Sequence, residues 1–352
     1  MQISKSINFG IEVIKSNFFH LSLPYKLNFA ITYRCNSRCL TCNIWKIHPH
    51  DDLTLNEINE FAKKNDWFKW VGLTGGEPFL REDISQIAEV FSKYSKGLYI
   101  LTIPTNALCN GDFIEEKIKE ILELKIPRVV ITISLDGYEK LHDRIRGVAG
   151  NYQKAVNLYK RLKRLKQSYP NFFLVFGYTI SNYNLGAFEK TFFETKKRIK
   201  ELTCDDFHIN LAQISKHYYR NEESKITPSQ KIVLEEIEKI LRMKKRLSLI
   251  SILEKTFLKK MKEFVVTKRA PVKLRSIDTS IFLDSFGNVY PSIMWDKKLG
   301  NIRESKYDLR KILESDETKE AKIEIALGKE PQSWTSCEAY QALIGDLKSF
   351  IF

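Results

Sequence analysis

Three cysteines fall within eight residues of one another in a chain that has only six: Cys35, Cys39 and Cys42, spaced C-x3-C-x2-C. Thiolates are the usual ligands of iron–sulfur clusters, and a four-iron cubane takes one per iron. Three ligands on one short loop leave a fourth iron free to bind a substrate or cofactor, much as catalytic metal sites keep an open position. A structural zinc ion would instead want four ligands, and His48 or His50 could complete a Cys3His set. Six cysteines in 352 residues are too few for a disulfide framework.

The elements that must position this loop are legible as alternating apolar runs and helical patterns. Residues 27–32, 70–73, 98–103, 129–134, 172–180 and 206–211 read as buried parallel strands. Helical periodicity at 55–64, 83–93, 112–124, 152–166 and 185–202 bridges them. Six strands separated by helices predict an α/β fold, with right-handed crossovers curling the sheet into a partial (β/α)6 TIM-like barrel over residues 25–225. Functional residues in such folds sit where strands end. The cysteine loop directly follows the first strand, and the second runs into Leu73-Thr-Gly-Gly-Glu-Pro78.

Outside the barrel, Ile3, Ile7, Ile11, Ile14 and Phe18 recur at helical spacing, so residues 4–19 read as an amphipathic helix within an N-terminal segment, 1–24. The helix either lies on the barrel or meets a membrane surface. After residue 225 the pattern changes. Helices at 227–243 and 250–262 lead to a small α+β C-terminal domain, with a strand at 280–283, a turn at 284–288 and a strand at 289–290. The net charge of +14 reads as a solvated basic surface, with an anionic or membrane-associated substrate as the alternative; no specific nucleic-acid partner is expected. No apolar run is long enough to span a bilayer, and Lys5 and Glu12 interrupt any signal peptide. The expected location is cytoplasmic, with peripheral membrane contact as its variant.

The cysteine loop and Gly75-Gly76-Glu77-Pro78 together resemble the cluster loop and GGEP motif of the radical S-adenosylmethionine (radical SAM) superfamily. Thr105-Asn106, Ser134-Leu-Asp136-Gly137 and His142-Asp-Arg-Ile-Arg146-Gly147 follow in that family's order, over roughly residues 25–220. The resemblance implies one [4Fe–4S] cluster on Cys35, Cys39 and Cys42, its open iron chelated by the amine and carboxylate of SAM. It further implies reductive cleavage of SAM to methionine and a 5′-deoxyadenosyl radical that takes hydrogen from the substrate. A ferredoxin or flavodoxin would serve as reductant. By the same resemblance, Gly75 and Gly76 let the backbone approach the ligand, Glu77 accepts a hydrogen bond from the SAM ammonium, and Pro78 stiffens the turn. Thr105 and Asn106 join the cofactor site, Asp136 binds a ribose hydroxyl, and Ser134 and Arg146 meet the SAM carboxylate.

Residues 280–292, 299–302 and 333–340 resemble the SPASM/twitch extension of radical SAM enzymes. There the family places cysteines for auxiliary clusters. Pro291-Ser292 stands where Pro-Cys is expected, no cysteine occurs near 271–273 or at Ser333, and Cys337 alone remains. The extension is therefore expected to carry no auxiliary cluster. Cys109, near the barrel mouth, and His217, after the sixth strand, are candidate catalytic groups. Asn182, Asn184, Gln213, Ser215 and Tyr218 are candidate pocket residues, with His208 as core or barrel lining. The substrate is expected to be a small molecule, sugar or lipid precursor, with a peptide or protein as the alternative. A zinc-stabilised nucleic-acid-binding protein is the competing class, though such a protein would have no use for the Gly75–Pro78 loop.

Overall fold

The computed structural model describes residues 2–350. Six strands, β1 (Lys26–Thr32), β2 (Trp70–Gly75), β3 (Ile100–Thr105), β4 (Arg128–Ser134), β5 (Phe172–Ile180) and β6 (Phe207–Leu211), lie side by side in chain order, each parallel to the last. Helices Leu55–Lys64, Ile84–Tyr94, Gly111–Glu123, Asn151–Lys163 and Phe188–Arg198 connect them. Period-2 alternation sorts the two faces. On β4, Val129, Ile131 and Ile133 are buried, while Val130, Thr132 and Ser134 line the barrel's interior cavity. Phe173, Val175, Gly177 and Thr179 do the same on β5. The α/β, mainly parallel architecture predicted above is the one found.

The sheet is not closed. The other edge of β1 receives β7 (Ser280–Leu283) in parallel, followed by antiparallel β8 (Asn288–Tyr290) and β9 (Gly300–Asn301), giving nine strands in one sheet. The β7–β8 turn is held by Asp284, whose Oδ1 accepts from the amides of Phe286 and Asn288, and by Gly287 at φ +85°. An ion pair fastens the C-terminal segment to the core. Glu57, in the Thr54 capping box of helix Leu55–Lys64, meets Arg303 at 2.6 Å, and this partner holds its carboxyl down at about 2.

Two differences from the sequence expectation concern helices. A short helix at Glu139–Arg146, ending on Gly147 at φ +68°, has Leu141 and Ile145 as its only apolar residues in two turns, too short a pattern to read as a helix. The N-terminal helix, Gln2–Phe18, docks through a different face from its apolar stripe. Phe9 stacks on Tyr99 with ring centroids 5.3 Å apart, Ser16 is buried, and the Asn17 amide donates to the Ile344 carbonyl at 3.2 Å. Ile7, Ile11, Ile14 and Phe18 face solvent, 43–72% exposed. The side chain of Ile3 lies outside the described ones.

Candidate functional site

The cysteine loop leaves β1 and is gripped by three other segments. From the β2 side, the amides of Gly76 and Glu77 donate to the carbonyls of Thr32 and Arg34, both at 2.8 Å. A Cβ on Gly75 would sit 2.0 Å from the Thr32 oxygen, and one on Gly76 would sit 2.1 Å from the Arg34 oxygen. The two glycines are thus required by the backbone of the cysteine loop itself, a closer cause than approach to a ligand. From the helix Glu139–Arg146, the carbonyl of Arg146 accepts from the Arg38 amide, and that of Ile145 from the Leu40 amide, both at 2.9 Å. Beyond β6, the Asn43 amide donates to the Tyr219 carbonyl at 2.8 Å, and the Asn221 side chain donates to the Thr41 carbonyl at 2.9 Å.

Polar groups point at the sulfurs. Ser37 Oγ lies 3.2 Å from Cys39 Sγ, Arg146 Nη1 3.6 Å from the same sulfur, and Asn106 Nδ2 3.9 Å from Cys35 Sγ. Burial raises the Cys35 thiol to about 11 and that of Cys42 further still. His48 and His50 are exposed, and the His50 ring turns to the His48 carbonyl, so neither completes a Cys3His set. Among the described residues, no three His, Cys, Asp or Glu side chains converge around a single-ion position. A cubane differs in giving each thiolate its own iron.

Glu77 is the hub beside the loop. It is 1% exposed and accepts from Thr105 Oγ1 at 2.8 Å, from the Asn106 amide at 2.6 Å and from the Phe79 amide at 3.3 Å. Desolvation outweighs these donors and raises its pKa to about 7. Asn106 in turn donates to Asn36 Oδ1 at 2.8 Å, and Asn151 donates to the Asn106 carbonyl at 2.8 Å. Pro78 is buried at the start of a single 3-10 turn.

Asp136 and Arg146 form a second hub. Arg146 Nε approaches Asp136 Oδ2 at 2.8 Å, an ion contact whose N–H is not aimed for a hydrogen bond. Asp136 Oδ1 accepts from the Thr179 amide, its carbonyl accepts from Asn184, and its amide donates to His142 Nδ1. Burial works against the Arg146 charge, but Asp136 and the cysteines outweigh it and raise its pKa. The two residues that the resemblance assigns to separate parts of SAM therefore lean on each other, and Ser134 lines the cavity beside them.

A cavity of about 580 Å³ begins at the three cysteines and runs the length of the barrel to Lys26, Trp70, Tyr99 and Arg128 near the strand starts. Glu77, Thr105, Asn106, Ser134, Asp136, Arg146, Gln213 and Tyr218 line it. His208 lines it as well, next to Glu254 and Tyr340, which sequence reading had not marked. His208 Nδ1 faces Glu254 Oε1 at 3.1 Å, and the Tyr340 hydroxyl donates to that oxygen at 2.5 Å. Burial alone would raise the Glu254 pKa, yet His208, Lys244 and Tyr340 bring it down to about 2. His208 Nε2 is buried without a partner, as are Asn210 Oδ1 and Gln213 Nε2.

Cys109 and His217 are not among the residues lining this cavity. Cys109 sits behind the cysteine loop, its sulfur 3.9 Å from Asn36 Nδ2 and 3.6 Å from the Phe79 carbonyl. His217 packs on the Tyr290 ring at 4.6 Å, and burial lowers its pKa to about 4. Asn182 donates to the Lys225 carbonyl, and Ser215 to the Ile293 carbonyl, so both fasten loops.

The sequence profile of the Radical SAM superfamily matches residues 29–194. The chain carries a radical SAM domain. Over 121 residues it is 35% identical to GTP 3′,8-cyclase of Aquifex aeolicus, covering 32% of this chain and 36% of that protein. Over 146 residues it is 27% identical to the antilisterial bacteriocin subtilosin biosynthesis protein AlbA of Bacillus subtilis, covering 40% of this chain and 31% of AlbA. The matches span about a third of each of these relatives. In fold, the chain resembles anSMEcpe, solved with AdoMet and a peptide, with a TM-score of 0.60 at 16% identity over 93% of this chain and 96% of that one. Streptococcus suis SuiB bound to S-adenosylmethionine gives a TM-score of 0.55 at 16% identity, over 84% and 66% of the two chains.

Radical SAM enzymes use a [4Fe–4S] cluster and SAM, and the donor set here fits such a group. Three cysteines share one loop, and the sulfurs of Cys35 and Cys39 face polar groups of Asn106, Ser37 and Arg146, the kind of contact that steadies an anionic cluster. Sequence reasoning missed Asn36 and Ser37, which tie the loop from within to Asn106 and Arg146, and Asn151, which holds Asn106. It also missed Glu254, whose helix reads as a charged surface stretch.

Proposed function

We propose that this radical SAM domain takes a hydrogen atom from a small-molecule, sugar or lipid-precursor substrate held inside the barrel. When bound and reduced, a [4Fe–4S] cluster with SAM supplies a 5′-deoxyadenosyl radical. Cys35, Cys39 and Cys42 would hold the cluster, one per chain. Glu77, Thr105, Asn106, Ser134, Asp136 and Arg146 would form the SAM side of the chamber. The observation that carries the reading is the cavity itself, continuous from the three cysteines to His208. Trp45, Trp70, Tyr218 and Tyr219 give it an aromatic lining suited to keeping water from reactive species. Glu254 and Tyr340 fix the His208 ring, so that Nε2 presents one oriented polar atom to a substrate group. Exposed Arg34 and Arg38 on the cysteine loop suit an acidic reductant, such as a ferredoxin or flavodoxin.

A peptide or protein substrate is the second reading. The fold likeness to anSMEcpe, solved with a peptide, and to SuiB, solved with its precursor peptide SuiA, favours it. Deoxyadenosine formation by the reduced, reconstituted chain separates the two. Stimulation by a low-molecular-weight and lipid extract, and not by a peptide fraction, is the expected outcome. The reverse pattern would replace the first reading with the second.

A further inference from the structure

Two elements beside the cavity leave large apolar side chains in solvent. On the N-terminal helix, Ile7, Ile11, Ile14 and Phe18 form one stripe, spaced by four, three and four residues, while the opposite face docks through Phe9 and Ser16. The second element is the start of helix Leu249–Thr267, where Leu247, Leu249 and Ile252 are exposed. Phe9 from the first and Ile250, Leu253 and Glu254 from the second line the cavity, together with Lys26, Tyr99 and Arg128 near the strand starts. Both apolar patches therefore flank the end of the barrel opposite the cysteine loop.

The charge on that end has one prevailing sign. Lys5 and Lys15 lie on the N-terminal helix, exposed Lys96 and Lys125 lie in loops that enter strands, and exposed Lys245 and Arg246 precede Leu247. Three carboxylates near that end are engaged within the protein. Glu12 meets Lys15 at 3.5 Å, Glu123 accepts from Tyr169, and Asp205 caps the amides of Lys245 and Arg246. Burial and the like charge of Lys96 together lower the pKa of Lys5, as expected where cations crowd without compensation.

The geometry points to this end of the barrel as a docking face for an anionic lipid bilayer, with the helix Gln2–Phe18 lying in the interface and the 245–252 segment beside it. Apolar side chains enter the headgroup boundary, and lysines at the rim meet lipid phosphates. Among the described residues no helix is long and apolar enough to cross a membrane, so the attachment is peripheral and reversible. It stands independently of the radical reaction.

The test is co-sedimentation of the full chain with phosphatidylcholine vesicles and with equimolar phosphatidylcholine–phosphatidylglycerol vesicles, at low and high salt. Binding to the anionic vesicles at low salt is expected. It should fall about tenfold in Ile11→Glu/Phe18→Glu and in Leu247→Glu/Leu249→Glu, since each removes apolar contact and adds like charge to the lipid. These side chains are exposed, so melting curves should match the parent's. Absence of binding to anionic vesicles would overturn the proposal, as would binding that both variants retain. A dimer seen by light scattering and dissolved by the same variants, with no vesicle binding, would assign the face to a second copy of the chain. Sedimentation reads docking alone, so a failure of the radical reading would leave this result unaffected.

Discussion

At the residue scale, the chemistry depends on side chains that are absent as much as on those present. A methyl group on Gly76 would meet the Arg34 carbonyl at 2.1 Å, a backbone atom that cannot rotate away. Gly76→Ala should therefore cost about 3 kcal/mol, read as a lowered melting temperature, and should release the cysteine loop so that iron is poorly retained. Glu77 gives a pH signature. Its pKa rises from 4.5 unfolded to about 7 folded, so the folded apo chain holds the extra proton between those values. Stability contributed by that proton is present below about 4.5 and declines by about 3 kcal/mol as pH rises to 7. Glu330, also raised to about 7, adds a similar slope, so Glu77→Gln should flatten the melting profile in part. The cysteines are legible from residue type and spacing, and the Gly75–Pro78 loop from its resemblance to a radical SAM motif. Their partners are not: the Asp136–Arg146 contact joins residues that the sequence places in separate motifs.

Elements were easier to read than their orientations. Apolar runs and helical periodicity located all six barrel strands and five of the helices between them to within a few residues, because each buries a continuous apolar run or stripe. The N-terminal helix shows the limit, since periodicity reveals that a stripe exists and says nothing about what it faces. The joint between β9 and the core was also hidden, as Glu57 and Arg303 are 246 positions apart. Arg303→Ala should lower stability by about 1 kcal/mol near neutral pH, discounted for the partial exposure of the pair. The folded pKa of Glu57 is depressed from 4.5 to about 2, so the pair's contribution is full above about 4.5 and fades as pH falls towards 2. Melting curves of parent and variant should therefore converge in acid.

The barrel as a whole assembles groups that no local pattern could bring together. His208, Glu254 and Tyr340 come from β6, helix Leu249–Thr267 and the short helix Ser336–Ile344, and they meet only because the C-terminal segment folds back beside the barrel opening. Glu254→Gln should disorient the His208 ring. Substrate-stimulated deoxyadenosine formation is expected to drop at least tenfold, roughly the contribution of one positioned polar group, while dithionite-driven cleavage of SAM without substrate stays near the parent's rate. Parallel loss of both activities would place Glu254 in the fold and not in substrate handling.

The most direct test of the radical SAM account is one assay on anaerobically reconstituted protein, measuring 5′-deoxyadenosine after addition of dithionite and SAM to the parent and to Cys39→Ala. Formation by the parent and its loss in the variant is the predicted result. A parent that binds about four irons per chain yet forms no deoxyadenosine would contradict the radical SAM account, and a variant that forms as much as the parent would contradict the assignment of the three cysteines.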